Sequence, residues 1–211
     1  MSRADARCSA VLALGWLAVS PPAATAQIKR VEVTPLAGGY IPTKTLGPVQ
    51  LDFSGQTFTA DESEMKTAGV FGGRIAMWPG ESWAVEGSFL WSGSDMRATV
   101  GQFVVTRDAE VRAGSLKLVY RPSPGTTGTD VVVNAGIGGI QHRGAAFRLT
   151  TGQLDVAGAF GAGLRVEMTE QVTLRIDGEG FIYSWSAGSG SPGNTQLDIM
   201  LSAGLALRLR R

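Results

Sequence analysis

Downstream of residue 26, every Trp and Tyr stands at an end of a short run in which apolar and polar residues alternate. Trp78, Trp83 and Tyr120 mark one set of ends; Tyr40, Trp91, Tyr183 and Trp185 mark the other. Alternation with a period of two makes a strand with one greasy face. Two bands of amphipathic rings, a strand length apart, are what two membrane interfaces demand of a β-barrel. The expectation is that these seven rings face the lipid headgroups. This one constraint excludes most soluble folds.

The N-terminus agrees with export. Arg3 and Arg7 precede a short apolar run, which is followed by Pro21, Pro22 and the Ala24-Thr25-Ala26 exit. That order predicts a cleaved signal peptide over 1–26 and a single barrel domain over 27–211. The apolar run is shorter than the ~20 residues that a spanning helix needs. Cys8, the only cysteine, lies inside the signal, so the mature chain is expected to lack thiol and disulfide chemistry. Of 19 Lys+Arg and 18 Asp+Glu, the signal removes Arg3, Arg7 and Asp5, which leaves no net charge. Such a chain has no electrostatic field for nucleic acid. Gly fills 29 of 211 positions, against a usual share of about 7%, and it is scattered through the strand-like runs, where it marks bends and close backbone approach.

The alternation predicts eight strands, at 31–40, 67–77, 83–92, 111–120, 131–141, 154–166, 172–185 and 196–209. The segments between them alternate in length. Segments 42–66, 93–110, 142–153 and 186–195 are long and polar; 78–82 and 167–171 are short, and 121–130 is moderate. Outer-membrane barrels put long loops outside and short turns in the periplasm. The fold class is therefore all-β, an eight-stranded antiparallel up-and-down transmembrane barrel with both termini periplasmic, in the outer membrane of a Gram-negative-type bacterium.

The faces sort by charge. Leu197, Ile199, Leu201, Leu205, Leu207 and Leu209 share one side of the last run. Lipid cannot solvate charge, so the opposite faces look inward. This gathers Arg74, Glu86, Lys117, Asp155, Arg165, Arg175, Asp177, Glu179 and Asp198 inside. Eight strands leave an interior that side chains fill, so a paired charge network is expected and a wide pore is not. Pro35 resists the scheme, since a closed barrel has no free edge for it; a bulge or a later strand start would absorb it. The run at Val131, Val132 and Val133 alternates badly.

Residues 33–40 (VTPLAGGY) resemble the opening strand of small outer-membrane β-barrel domain proteins of the OmpA/OmpX/OmpW-like superfamily. Gly204, Leu207 and Leu209, after Ser202, resemble their C-terminal insertion signal, although this chain ends Leu209-Arg210-Arg211 where the family usually ends on an aromatic. The resemblance implies an eight-stranded barrel assembled by the barrel-insertion machinery.

No catalytic, cofactor or metal motif stands out. His142, the only histidine, sits where the fifth strand meets a long loop and reads as a solvated loop residue; its sharper reading is the base of a lipid-modifying enzyme. The glycine-rich stretch 158–163 has the wrong order for a dinucleotide fingerprint. Asp61, Glu62 and Glu64 lack the spacing of a calcium loop. The expected role is structural or interactive: no enzyme, no cofactor, no nucleic acid, with outer-membrane lipid, the insertion machinery and an extracellular ligand of the loops as partners. Two alternatives belong to other classes. One is a soluble periplasmic lipocalin-like barrel for an apolar ligand, in which the polarity of the faces inverts. The other is the lipid-modifying enzyme.

Overall fold

The structure, a computed structural model, describes residues 28–46, 49–53, 56–60, 62–125, 128–147, 154–185 and 194–209. The signal segment, Asp61, Arg148, Arg210 and Arg211 lie outside the described residues. The strands are β1 (Arg30–Pro42), β2 (Val49–Phe53), β3 (Gln56–Ala60), β4 (Glu62–Met65), β5 (Ala68–Trp78), β6 (Trp83–Val100), β7 (Phe103–Tyr120), β8 (Thr129–Arg143), β9 (Leu154–Glu167), β10 (Val172–Trp185) and β11 (Asn194–Leu209).

Eight of them close a ring of antiparallel neighbours in the order β1-β5-β6-β7-β8-β9-β10-β11, with β11 pairing back onto β1. Following partners round the ring from Val31 through Met77, Val85, Leu118, Ala135, Phe160, Gly180 and Ile199 returns to β1 at Ile41, ten residues further on. That stagger tilts the strands by roughly 40–45°. Burial alternates along the strands. In β11, Asp198, Met200, Ser202 and Ala206 are buried, and Leu201, Leu205, Leu207 and Leu209 are exposed. This polarity contradicts a lipocalin-like barrel, whose apolar side chains would line the hollow.

β6 and β7 outrun the expected strands. The segment 93–110, read as a long polar loop, is instead the upper part of an 18-residue-per-strand hairpin. Its two-residue loop turns through Gly101 at a φ of 59°, the left-handed conformation that such loops favour. Outward-facing residues of β6 are apolar from Trp83 to Trp91 and polar above it, at Asp95 and Arg97. The eight steps from Trp83 to Trp91 rise about 20 Å along the axis, close to the ~25 Å apolar band of such barrels. The rest of the hairpin extends a similar distance beyond it. Segment 42–66, also read as a loop, carries the β2–β3 hairpin and β4, which lies on the β6 extension.

Pro35 needs no bulge. Its offset to β5 is unchanged from Val33 to Leu36, and β1 keeps one offset to β11 on both sides of it. The proline ring points outward, and the ladder to β11 skips Thr34 and Pro35. The barrel wall closes tightly there. A Cβ on Gly204 would stand 2.3 Å from the Pro35 carbonyl oxygen, so only glycine fits at this point of the insertion signal. The poor alternation of β8 also has a reason. Val131 and Val133 face out, whereas Val132 turns inward to a small apolar floor with Ala76, Trp78, Ala84 and Val119.

Candidate functional site

The lumen is built in three layers. At the periplasmic end, where β1 starts and β5, β7 and β9 finish, Trp78 is fully buried among three guanidinium groups. Arg30, Arg165 and Arg121 lie 4.8, 5.2 and 5.6 Å from its ring centre, within reach of cation–π attraction. Glu32 receives the Trp78 indole N–H at 3.1 Å and an Arg165 N–H at 2.8 Å, and lies 3.0 Å from Arg30. Arg121 bridges to Asp130 at 2.8 Å. Trp78 is therefore not an interface ring; it is the stacking centre of a charged floor. Arg165 belongs to this floor.

The middle layer draws on four strands. Arg74 from β5, Lys117 from β7 and Arg175 from β10 meet Glu86 from β6 and Asp177 and Glu179 from β10. Arg74 donates to Asp177, to Glu179 at 2.9 Å and to the Ser202 hydroxyl at 3.0 Å. Arg175 donates to Glu86 and to Asp177, the latter at 2.9 Å. Lys117 contacts Glu86 at 3.2 Å and also Glu179. Three cations face three anions, all buried. Such a set is tolerable because every charge has an opposite one in contact; removing a single member leaves an uncompensated ion. The small inner face of β9, with Ala157, Ala159, Gly161 and Gly163, leaves room for these long side chains.

The extracellular layer differs from what the sequence suggested. Among the described residues Asp198 pairs with no arginine: it accepts hydrogen bonds from Tyr40 and Tyr183, both at 3.0 Å. His142 is not a solvated loop residue. It is 1% exposed, with Nε2 at 3.4 Å from the Tyr183 hydroxyl and 4.0 Å from Asp198. Trp185 stands edge-on to its ring at 4.9 Å, and Phe147 lies at 5.4 Å. Above them Leu46, Ala60, Met65, Met96, Ala98 and Ala146 complete an apolar cap. Asp155 faces inward and half-buried near this end, apart from the middle network. Tyr40, Tyr183 and Trp185 thus line the mouth instead of the membrane interface. Of the seven rings, Trp83, Trp91 and Tyr120 take outward positions, with Trp83 and Tyr120 stacked at 4.4 Å between centres.

Alternation carried the middle layer. It missed Arg30, Glu32, Arg121 and Asp130, which lie at strand ends where a two-residue period is hardest to count. The signal was present: Glu32 shares the inward parity of Thr34 and Leu36. Among the described residues no group of three or more His, Cys, Asp or Glu is arranged to hold a metal ion.

The family model described as "Outer membrane protein beta-barrel domain" matches residues 9–204. Among solved structures, the outer membrane protein OprG from Pseudomonas aeruginosa superposes with a TM-score of 0.61 at 13% identity, covering 86% of this chain and 97% of that one. Neisserial surface protein A gives 0.55 at 9% identity, over 85% and 97%. The outer membrane protein AlkL, solved in lipid bilayers, gives 0.50 at 16% identity, over 86% and 91%. At these identities the likeness is one of fold. No curated protein sequence matches the chain. With the ring closed, the greasy faces outward and the family model matched over nearly its whole length, the chain belongs to the outer membrane protein beta-barrel domain family and is an integral protein of the outer membrane.

Proposed function

We propose that this protein is a closed, non-catalytic barrel whose role is structural or interactive and is exercised by its extracellular strands. The observation that carries this reading is the filled lumen. A balanced six-charge network spans the middle, and an apolar cap sits over the mouth. Charged side chains locked in pairs make a poor conduit. The upper part of the β6–β7 hairpin stands clear of the membrane and carries Phe103 and Val104 beside its turn, 77% and 61% exposed. Apolar side chains held out on a hydrogen-bonded stalk suit contact with a ligand or neighbouring surface. A catalytic role has little support: among the described residues, the side chains in contact with His142 are Tyr183, Asp198, Phe147 and Trp185, none of them a serine, threonine or cysteine nucleophile.

The insertion machinery is the partner proposed for Gly204, Leu207 and Leu209. Leu207 and Leu209 present an exposed apolar face on β11, the strand that must meet β1 for the ring to close. Outer-membrane lipid is the partner proposed for the outward band.

Recording of the purified protein in planar lipid bilayers tests the reading. The expected result is a silent membrane across the usual voltage range. Stable, reproducible conductance steps in the wild type, lost when the protein is heat-unfolded, would overturn it.

A further inference from the structure

On the lipid-facing wall, two cross-strand rows form a furrow that the alternation of faces does not require. The upper row runs Trp91, Arg112, Gln141, Leu154 across β6, β7, β8 and β9. The row beneath runs Phe89, Gly114, Gly139, Val156 over the same strands. Gly114 and Gly139 are direct partners, so the wall loses two adjacent side chains where its neighbours keep large ones. Phe89 and Val156 stand out beside the gap, at 55% and 80% exposure, and Leu154 leans over Gly139, its Cδ1 2.9 Å from where a Cβ there would stand, so that Gly114 is the open floor. The result is an open furrow of about 410 Å³, lined by Phe89, Arg112, Gly114, Gly139, Gln141 and Leu154.

The furrow has one apolar end and one cationic end. Phe89 belongs to the apolar band, level with hydrocarbon. Arg112, the ladder partner of Trp91, closes the upper end, where the band gives way to polar residues. Arg143 stands one row higher, opposite Glu110 in the ladder, and its Nε donates to the Gln141 side chain at 2.9 Å. Glu110 takes one edge of Arg112. Arg112 and Arg143 supply two guanidinium groups at this end, with the Glu110 carboxylate between them and Asp108 further along β7. A guanidinium fork matches phosphate geometry, and basic side chains at headgroup level attract anionic lipid.

We propose that this furrow is a binding site for a phosphorylated lipid of the outer leaflet, with one acyl chain lying over Gly114 and a headgroup phosphate against Arg112 and Arg143. Charge and shape select this occupant together: a neutral lipid leaves the arginines unused, and a free anion leaves the furrow unused. The proposal rests on the outward polarity of the band and the membrane location; it is independent of the surface role proposed above.

Native mass spectrometry of the full chain, delipidated in detergent, tests it. The probes are a bisphosphorylated outer-leaflet glycolipid, its dephosphorylated form and inorganic phosphate. The wild type is expected to retain one phosphorylated glycolipid and to hold the dephosphorylated form about tenfold more weakly, the scale of one charge-assisted contact. Arg112→Gln is expected to lose a similar factor. Gly114→Leu fills the furrow and is expected to abolish retention; its new Cβ meets only ordinary contact, 3.6 Å from the Ser88 carbonyl oxygen. Gly87→Leu is the control, because a Cβ there meets nothing within 4 Å and the position is not in the furrow lining; it should bind as wild type. A heat-dependent gel shift checks that each variant is folded. Equal retention of both glycolipids, unchanged binding by Gly114→Leu and Arg112→Gln, or inorganic phosphate competing as well as the glycolipid would each overturn the proposal.

Discussion

The middle of the lumen and its extracellular mouth are closed by opposite chemistry. Below, Arg74, Glu86, Lys117, Arg175, Asp177 and Glu179 fill the hollow with charge, each ion held by partners on other strands. Above, His142, Phe147, Trp185, Leu46, Met65 and Met96 fill it with apolar surface around one small polar knot, Asp198 with Tyr40 and Tyr183. The lower closure ties strands that lie far apart round the ring. The upper one combines His142, Trp185 and Met96 of the ring strands with Leu46, Met65 and Phe147 from outside the ring, and that outer part can loosen without opening the ring. The first is part of global stability; the second belongs to the class of local openings.

That contrast sets the scale of four perturbations. The largest effect is expected from Arg175→Ala, which takes from Glu86 its nearest cation and from Asp177 its second. It should cost about 3–5 kcal/mol, read from urea unfolding of the barrel reconstituted in lipid. Combining Arg175→Met with Glu86→Gln leaves Arg74 and Lys117 against Asp177 and Glu179, and should recover a large part of that loss. A double variant as unstable as Arg175→Ala would show that charge balance is not what holds the middle layer.

Next comes Gly204→Ala. The added methyl is directed at the Pro35 carbonyl oxygen, and overpacking of this kind costs about 1–3 kcal/mol. The same unfolding assay reads it.

Phe147→Ala tests the cap. Unfolding should shift by less than about 1 kcal/mol, because the change is confined to a local unit. His142, the sole histidine, should nevertheless become reactive to diethyl pyrocarbonate in the folded barrel, where the wild type resists. A large global loss, or no gain in reactivity, would erase the distinction between the two closures.

The smallest effect separates two tryptophans that look alike in sequence. Trp83 is 48% exposed and Trp78 is fully buried. Brominated lipid should quench Trp83 strongly and Trp78 hardly at all, read by comparing Trp83→Phe with Trp78→Phe. Trp83→Phe itself should move stability by no more than about 0.5 kcal/mol.

The difference between these two tryptophans also marks what the sequence could convey. Parity along a strand is local, so alternation identified Arg74, Glu86, Lys117, Arg175, Asp177 and Glu179 as one inward set. The same parity places Trp78 inside and Trp83 outside, since one shares a face with Arg74 and the other opposes Glu86. Ring position near a strand end pointed elsewhere and lost, because the charges at the barrel floor need an aromatic partner as much as headgroups do. His142 was illegible for another reason. Its burial depends on Phe147 and Trp185, brought in from separate strands and a loop, and no local pattern encodes that meeting. The height of the β6–β7 hairpin was hidden because residues 93–110 turn polar once they leave the lipid, and polar alternation in water reads as loop.

The central claim is the direction of each face, and a nitroxide scan through 199–206 of β11 in reconstituted vesicles tests it most directly. Labels at Ile199, Leu201, Ala203 and Leu205 should collide freely with oxygen dissolved in the hydrocarbon. Labels at Met200, Ser202 and Ala206 should be shielded from both oxygen and a water-soluble nickel chelate. Oxygen accessibility without a two-residue period, or one that peaks at Met200, Ser202 and Ala206, would contradict the account.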